Sequence, residues 1–504
     1  MNLSVDQHEC LIKLREFLNE SGLDLNHPAE IARSENSSKV SLAAVLGYAG
    51  TGKTELLRCL VEILEKSDVN SVNVDYESKL KEGTRCYAVL APTNKAVAVL
   101  NALGVKSTTL HRVLYSPLYD PNYEKISQWL QGISTRPSLP EFNDQKLESI
   151  KTFFSNHPSI PGALASVGIR TSDFIIGWKR REHPLDIGII DESSMLTQTQ
   201  LDDLKKVFKV LILFGDPGQL SPVEQSGRMV FHKLPQENKF YLKKIHRQSC
   251  DNPIIYLANI LRRPELTYND FEKHIRELSQ VDNRVLVSSR VCPDLMCRSP
   301  VLVWRNQTRI RLISAFRRAF NISENILVPG EPLICDGVEL PARHRKKKID
   351  LEERGLIKGA QVIYLGTGKK AGFCKLHVVG SNVANVSVAS IVQMERAGRR
   401  QPDILSAAGM GVVFVHGAAT TIHKAQGSQW SEIQVFSPDI EASAKSGLIE
   451  SDIPLWKRLA YVAITRAQEK LIWVTNYRIA NAKGNLEKLE TMARNTIKVG
   501  EVTD

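Results

Sequence analysis

The sequence predicts an α/β fold laid out on a doubly wound parallel sheet and interrupted by insertions. Three observations carry that prediction. Gly47-Tyr-Ala-Gly-Thr-Gly-Lys-Thr54 fits the pattern Gly, four residues, Gly-Lys-Ser/Thr. It stands between an apolar run at 42–46 and a helical pattern at Leu56, Leu57, Leu60, Val61 and Leu64. Further apolar runs at 86–90, 186–190 and 210–214 each end in a polar loop, and a doubly wound sheet gathers its site along that carboxyl edge of its strands. With 504 residues the chain is too long for one core and suits about two to four domains.

The glycine-rich stretch has a definite chemistry. Glycines let successive backbone N–H groups turn inward around phosphate oxygens at a helix N-terminus, so Gly47, Gly50, Thr51 and Gly52 form a candidate cradle. Lys53 follows to reach the β- and γ-phosphates, and the Thr54 hydroxyl can ligate Mg²⁺. Ahead of it, residues 4–18 read as a helix with Leu11, Leu14 and Leu18 on one face. Ser4-x-x-Gln7 is a capping box, so Gln7 either holds the helix start or, standing before a phosphate loop, hydrogen-bonds adenine. Residues 19–40 are polar and read as a loop.

After the loop, the strand at 86–90 runs into Ala91-Pro-Thr-Asn-Lys-Ala96, and Ser107-Thr-Thr-Leu-His-Arg112 marks a second turn. Residues 115–185 carry seven prolines and nine aromatics, among them Tyr119, Tyr123, Trp129, Phe142, Phe153 and Phe154, without a clear period. They read as an inserted subdomain ending in Lys179, Arg180 and Arg181. The strand at 186–190 then delivers Asp191-Glu192. Such a pair downstream of a phosphate loop suits a metal ligand and a water-activating base. Taken in isolation it would be a helix cap with acid in the first turn.

The strand at 210–214 leads into Gly215-Asp-Pro-Gly-Gln219, and residues 240–248 give a strand ending near Arg247. The pattern weakens from about 250 and restarts at 301–304, followed by a helix carrying Arg309, Arg311, Arg317 and Arg318. Arg343, Arg345 and Lys346 to Lys348 form a charge run that reads as a solvated loop. Short strands at 361–365, 374–379 and 383–392 suggest a small β insertion. The strand at 412–415 is expected to resume the larger sheet, before Ala419-Thr-Thr-Ile-His-Lys-Ala-Gln-Gly427, a strand at 433–436, residues 459–467 and a last strand at 471–474.

Composition narrows the class. Hydrophobic residues at 42% and charged residues at 24% describe an ordinary globular chain, and a net charge of +11 favours a polyanionic partner over a neutral one. The eight cysteines are scattered without zinc-site spacing and suit a reducing, cytoplasmic setting. No stretch reads as a signal peptide or a membrane span, so no membrane partner is expected.

Read together, these pieces resemble a superfamily 1 DNA helicase, and within it the RecD/Dda-like branch. The stretches 47–54, 91–94, 108–111, 191–195, 215–219, 242–248, 421–427 and 461–467 are similar to motifs I, Ia, Ib, II, III, IV, V and VI, in that order. The resemblance implies two RecA-like domains: 1–114 with 186–290, and 291–330 with 411–504. It places a pin-bearing subdomain at 115–185 and an SH3-like β subdomain at 331–410.

The resemblance also implies site roles. ATP and Mg²⁺ are the cofactors, with Lys53, Glu192, Gln219, Arg247 and Arg466 as catalytic groups. Thr54 and Asp191 hold the metal, Gln7 reads adenine, and Gln426 and Gly427 join the nucleotide site. Pro92, Thr93, Asn94, Thr109, His111, Thr421 and His423 line a single-strand track. It implies a monomeric motor moving 5′ to 3′ on single-stranded DNA, acting on tailed or forked duplex with replication or repair partners. Ser221 and Ala425 depart from the family's usual proline and serine. An RNA helicase on the same motor, or an ATP-dependent DNA-binding switch that unwinds nothing, fits the same residues.

Overall fold

A computed structural model describes residues 3–23, 40–72, 85–139, 142–156, 160, 163–164, 167, 175–180, 185–222, 228–244, 252–339, 356–379, 385–398, 402–407, 411–450 and 452–482. The chain divides into two compact units. One comprises Met1–Leu114, Glu182–Glu324 and Gly417–Asn485, and the other comprises Tyr115–Arg181, Asn325–His416 and Leu486–Asp504.

The first unit contains two parallel-sheet cores. Its amino-terminal helix α1 (Val5–Glu20) is capped by Ser4 and buries Leu14 and Leu18, one helical turn apart. Strand β1 (Ser41–Gly47) is buried along its carboxyl half and feeds helix α2 (Lys53–Lys66), whose buried positions Leu56, Leu57, Leu60, Val61 and Leu64 repeat with the helical period. Strands β2 (Asn70–Ser71) and β3 (Cys86–Ala91), helix α3 (Asn94–Ala102), β4 (Ser107–Thr109) and the short α4 (Leu110–Leu114) follow.

The second unit's first part opens with β5 (Tyr115–Tyr119), which pairs antiparallel with β6 (Ile175–Arg180). Between them lie helices α5 (Pro121–Leu130) and α6 (Asp144–Asn156), so this stretch is more regular than its sequence indicates. Ile126, Trp129, Leu139, Phe142, Leu147 and Ile150 form a small core of their own, with Tyr123, Phe153 and Phe154 packed against it. Five of the aromatics that broke the sequence period therefore form this core or pack against it.

The first core resumes with β7 (Leu185–Ile190), helix α7 (Gln198–Val207), β8 (Phe208–Gly215) and β9 (Lys239–Leu242). Its sheet runs β2-β3-β7-β8-β1-β9, with β4 beside β3, and every pairing is parallel. Near-continuous apolar strands such as Ile187, Ile189, Val210, Ile212 and Phe214 are what a sheet covered on both faces requires.

The second core begins earlier than the expected boundary at 290. Helices α8 (Pro253–Ile260) and α9 (Tyr268–Val281) and strand β10 (Val285–Ser288) all belong to it. Phe271 meets the Trp473 ring edge-on at 5.7 Å, and Tyr268 meets Trp456 at 5.6 Å, contacts with residues some two hundred positions later that local periodicity does not reveal. After the short α10 (Pro293–Met296) come β11 (Val301–Val303) and helix α11 (Asn306–Ala319).

A six-stranded sheet follows in the second unit: β12 (Pro332–Glu339), β13 (Gln361–Thr367), β14 (Phe373–Val378), β15 (Val386–Met394), β16 (Asp403–Ala407) and β17 (Gly411–His416). Pairing of β14 with β15 closes five of these strands into a small barrel around Leu333, Val362, Leu376, Val388 and Phe414. Strand β17, expected to resume the larger sheet, instead pairs with β12 and β15, because Val412 and Phe414 face this barrel's interior. The insertion thus extends to His416 rather than 410.

The second core is completed by β18 (Ala419–Thr421), β19 (Trp430–Phe436), helix α12 (Ser437–Ser446), the small hairpin β20 (Ile449–Glu450) and β21 (Ile453–Pro454), helix α13 (Leu455–Ile464) and β22 (Ala467–Val474). Its sheet, β10-β22-β19-β11-β18, is again wholly parallel. Asp439 in α12 is fully buried and ties β11 to α12. It accepts from the backbone N–H groups of Trp304 (3.0 Å) and Arg305 (2.9 Å), the Arg305 guanidinium (2.6 and 2.9 Å) and the Thr308 hydroxyl (2.9 Å). Removing the carboxylate leaves the buried donors around it without an acceptor, so Asp439→Ala should destabilise the fold by about 1–3 kcal/mol, read as an early transition in urea unfolding.

Candidate functional site

The site is built where strands of both cores end. In the first core Gly47 closes β1, and a Cβ there would clash with the Thr51 hydroxyl and crowd Leu242 Cβ at 3.1 Å, so a larger residue would force the loop to shift. Gly50 and Gly52 have φ of +82° and +77°, conformations that L side chains rarely adopt, and they turn the backbone into the start of α2. The Lys53 ammonium lies over this loop, donating to the carbonyls of Gly47 (2.6 Å) and Tyr48 (3.1 Å). Gln7 is buried beside it. Its amide accepts from the Ser4 backbone N–H at 2.9 Å, so the capping box forms, and donates to the Gly52 carbonyl at 3.0 Å.

Three acidic groups converge next to the loop. Asp191 follows β7, and Glu192 takes a left-handed φ of +52° that turns its side chain out of the strand direction. Burial, with the neighbouring Glu192 charge, pushes the Asp191 carboxyl up to about 7. Burial also raises the pKa of Asp216, with Lys53 opposing the shift from 3.8 Å. Ser193 donates to the Phe214 carbonyl and Ser194 to that of Asp216, which locks the acidic turn to the β8 loop. Gln219 donates to Glu192 Oε2 at 2.9 Å, while its own buried Oε1 makes no hydrogen bond.

The second core presents α13 to this cluster. Arg458, 1% exposed, donates to the carbonyls of Pro217 (3.0 Å) and Gln219 (2.5 Å). Tyr461 donates to Asp216 Oδ2 at 2.8 Å and accepts from the Ala49 backbone N–H at 2.7 Å. Arg466 is buried just past the helix, donating to the carbonyls of Val462 and Ser428 and to the Thr465 hydroxyl. Burial lowers its pKa, and the charges of Glu192 and Asp216 oppose that shift, so the guanidinium feels both acids. Gln426 donates to the Leu220 carbonyl at 3.1 Å.

The residues expected to line a strand track sit at the same edge. Ala91 and Thr109 are register partners on β3 and β4, which puts Pro92, Thr93, Asn94 and His111 just beyond two adjacent strand ends. Thr93 caps α3 through the Ala96 N–H. Thr421 ends β18, and burial lowers the pKa of His423. A Cβ at Gly427, whose φ is +71°, would lie 3.2 Å from the Thr93 hydroxyl, so the two cores meet here. Arg247 lies outside the described residues.

Sequence reasoning missed Tyr48, Lys95, Arg262, Arg458 and Tyr461. The Arg262 guanidinium stacks 3.9 Å from the Tyr48 ring, and Lys95 lies 4.9 Å over Trp430. Burial and the nearby Arg466 lower Lys95 to about 8. One signal was available for Arg458: Lys457-Arg458 interrupts an otherwise apolar helix, and a cation there needs buried acceptors.

Two family models match this chain. Residues 29–265 match an AAA domain and residues 416–474 match a UvrD-like helicase C-terminal domain, together more than half of the chain. The two matches support a superfamily 1 helicase. Among solved structures, it is similar to a Pif1 helicase from Bacteroides in complex with ADP-AlF3 and ssDNA, at 15% identity, covering 99% of both chains with a TM-score of 0.45. The Pif1 helicase from Candida albicans is 18% identical over 99% of this chain and 100% of that one, with a TM-score of 0.45. No curated protein matches it by sequence.

The helicase motifs are thus joined across the two cores by buried hydrogen bonds to main-chain carbonyls. Arg458→Ala would leave the Pro217 and Gln219 carbonyls without that donor. It should cost about 1–3 kcal/mol, measured as a lowered urea midpoint at constant m-value.

Proposed function

We propose that this helicase is an ATP-driven motor that translocates on single-stranded DNA and unwinds tailed or forked duplex. The observation that carries the reading is the direct hydrogen bonding of a phosphate loop on one core to α13 of the other. A change at the phosphates then moves one strand-binding edge against its neighbour. The left-handed glycines and Lys53 fit a triphosphate. The oxygen donors of Thr54 and Asp191 fit Mg²⁺. Bound there, the metal neutralises charge on the phosphates.

The chain's own residues do the remaining work. Glu192, steadied by Gln219, orients a water and accepts its proton. Arg466, and Arg247 from the first core, place positive charge on the transferring phosphoryl group. For Gln7 to read adenine, its amide must exchange Ser4 for the base. Gln426 and Gly427 couple the nucleotide site to Thr93. Pro92, Thr93, Asn94, Thr109, His111, Thr421 and His423 hold the strand through sugar–phosphate contacts and stacking. The net charge of +11 suits that partner. Movement 5′ to 3′ and a monomeric motor follow the family resemblance, and scattered cysteines without zinc-site spacing suit a cytoplasmic site of action. The described residues contain no helix long and apolar enough to cross a membrane.

The insertion at 115–181 is the element that splits base pairs, each costing about 1–2 kcal/mol of stacking per step. Its separate core, which includes Trp129 and Phe142, supports that role by holding the insertion together as one body. Strand displacement from 5′-tailed, 3′-tailed and blunt duplexes, in DNA and RNA versions with and without ATP, tests the whole reading; only the 5′-tailed DNA should open.

Two sets of variants refine it. Lys53→Ala should abolish ATP turnover by removing the phosphate cation. Glu192→Gln should retain binding while losing turnover, and Arg466→Ala should slow turnover by roughly 10³-fold or more; near-normal ATPase in Glu192→Gln would remove it from the base role. Replacing residues 121–170 by a Gly/Ser linker, which keeps β5 and β6, should leave strand-stimulated ATPase intact but stop unwinding. A folded deletion that unwinds at the parent rate would make the insertion a docking surface instead.

A further inference from the structure

Ala49 is part of the phosphate loop, and its N–H is engaged by a residue of the other core. The acceptor is the Tyr461 hydroxyl, 2.7 Å away, whose own proton is committed to Asp216 Oδ2 at 2.8 Å. With its donor so fixed, the phenol presents only lone pairs to the loop, as a phosphoryl oxygen does. The Tyr461 side chain is 3% exposed, and its ring meets Tyr48 edge-on at 6.0 Å, so the hydroxyl is held in place from both sides. A phenol also suits this position electrostatically. It is a neutral acceptor against the Asp216 carboxylate, where an anion would be repelled unless Lys53, 3.8 Å from that carboxylate, turned to meet it.

One N–H cannot give a full hydrogen bond to two acceptors in different places. We propose that Tyr461 is a phosphate stand-in: its hydroxyl competes with the nucleotide's phosphates for the Ala49 N–H, and nucleotide arrival releases α13 from the loop. The role rests on the ATP-binding reading above. Tyr461 is a positioning residue. Through the helix it moves Arg458, which holds the 217–219 main chain, and the following Arg466. Exchanging one acceptor for another thereby converts occupancy of the loop into a shift of the second core.

The direction of the effect separates this role from a purely structural tie. Tyr461→Phe keeps the ring and removes the competitor, so a fluorescent ADP with Mg²⁺, titrated without DNA, should bind about two- to tenfold more tightly, the worth of one net hydrogen bond. Binding equal to or weaker than the parent would overturn the proposal. Hydrogen exchange on the unmodified chain gives a second reading that does not depend on the variant folding. MgADP should slow exchange across 47–58 and speed it across 455–466, and unchanged exchange across 455–466 would also overturn it. A parent chain that binds no nucleotide would overturn the phosphate-loop reading itself, an outcome distinct from normal binding with an indifferent Tyr461→Phe.

Discussion

Everything at this site depends on keeping charge out of water without leaving it unbalanced. Asp191, Glu192 and Asp216 converge at the ends of neighbouring strands, and burial raises the carboxyl pKa of Asp191 and Asp216. Lys53 answers from the loop, and Arg466 answers from the other core through the field of Glu192 and Asp216. Such an arrangement is stable only while both cores contribute. The strand order of the first sheet produces the crowding, since it sets β7, β8 and β1 side by side.

Helix α13 shows how an apolar element can carry polar work. Its ten residues are all buried, yet Lys457, Arg458 and Tyr461 each find acceptors across the packing surface. Main-chain carbonyls receive the two cations. These acceptors exist whatever side chains stand at Arg263, Pro217 or Gln219, so the docking surface is fixed by backbone shape more than by side-chain identity. The hairpin before the helix adds a further tie, for Ser221 donates to Glu450 at 3.3 Å. The serine that departs from the family pattern thus has a local partner.

Much of this was legible in the sequence. The glycine spacing, the acidic pair and the polar loops after apolar strands each lie where strand ends meet, because a parallel sheet leaves few other places for them. What escaped notice was long-range. Periodicity cannot tell that 412–415 pairs with 332–339, since a short continuous apolar run fits a barrel wall as well as a parallel sheet. Nor does it reveal that Phe271 packs on Trp473 or that Tyr461 reaches Ala49, for these are contacts between distant segments. The helices at 121–130 and 144–156 were hidden by prolines at their borders and by aromatics that serve a small separate core.

The position of β1 has a consequence for how the chain comes to be folded. It carries the phosphate loop, yet its two neighbours, β8 and β9, come from far later in the sequence. On the ribosome the loop's strand emerges long before either edge it must pair with, and an entire insertion is synthesised in between. The insertion can collapse on its own core, closed by β5 and β6, while β1 waits with open hydrogen-bonding edges. The nucleotide site is therefore among the last parts of the first core to be assembled, and the interval before β9 arrives is when a nascent chain of this design most needs protection from other strands.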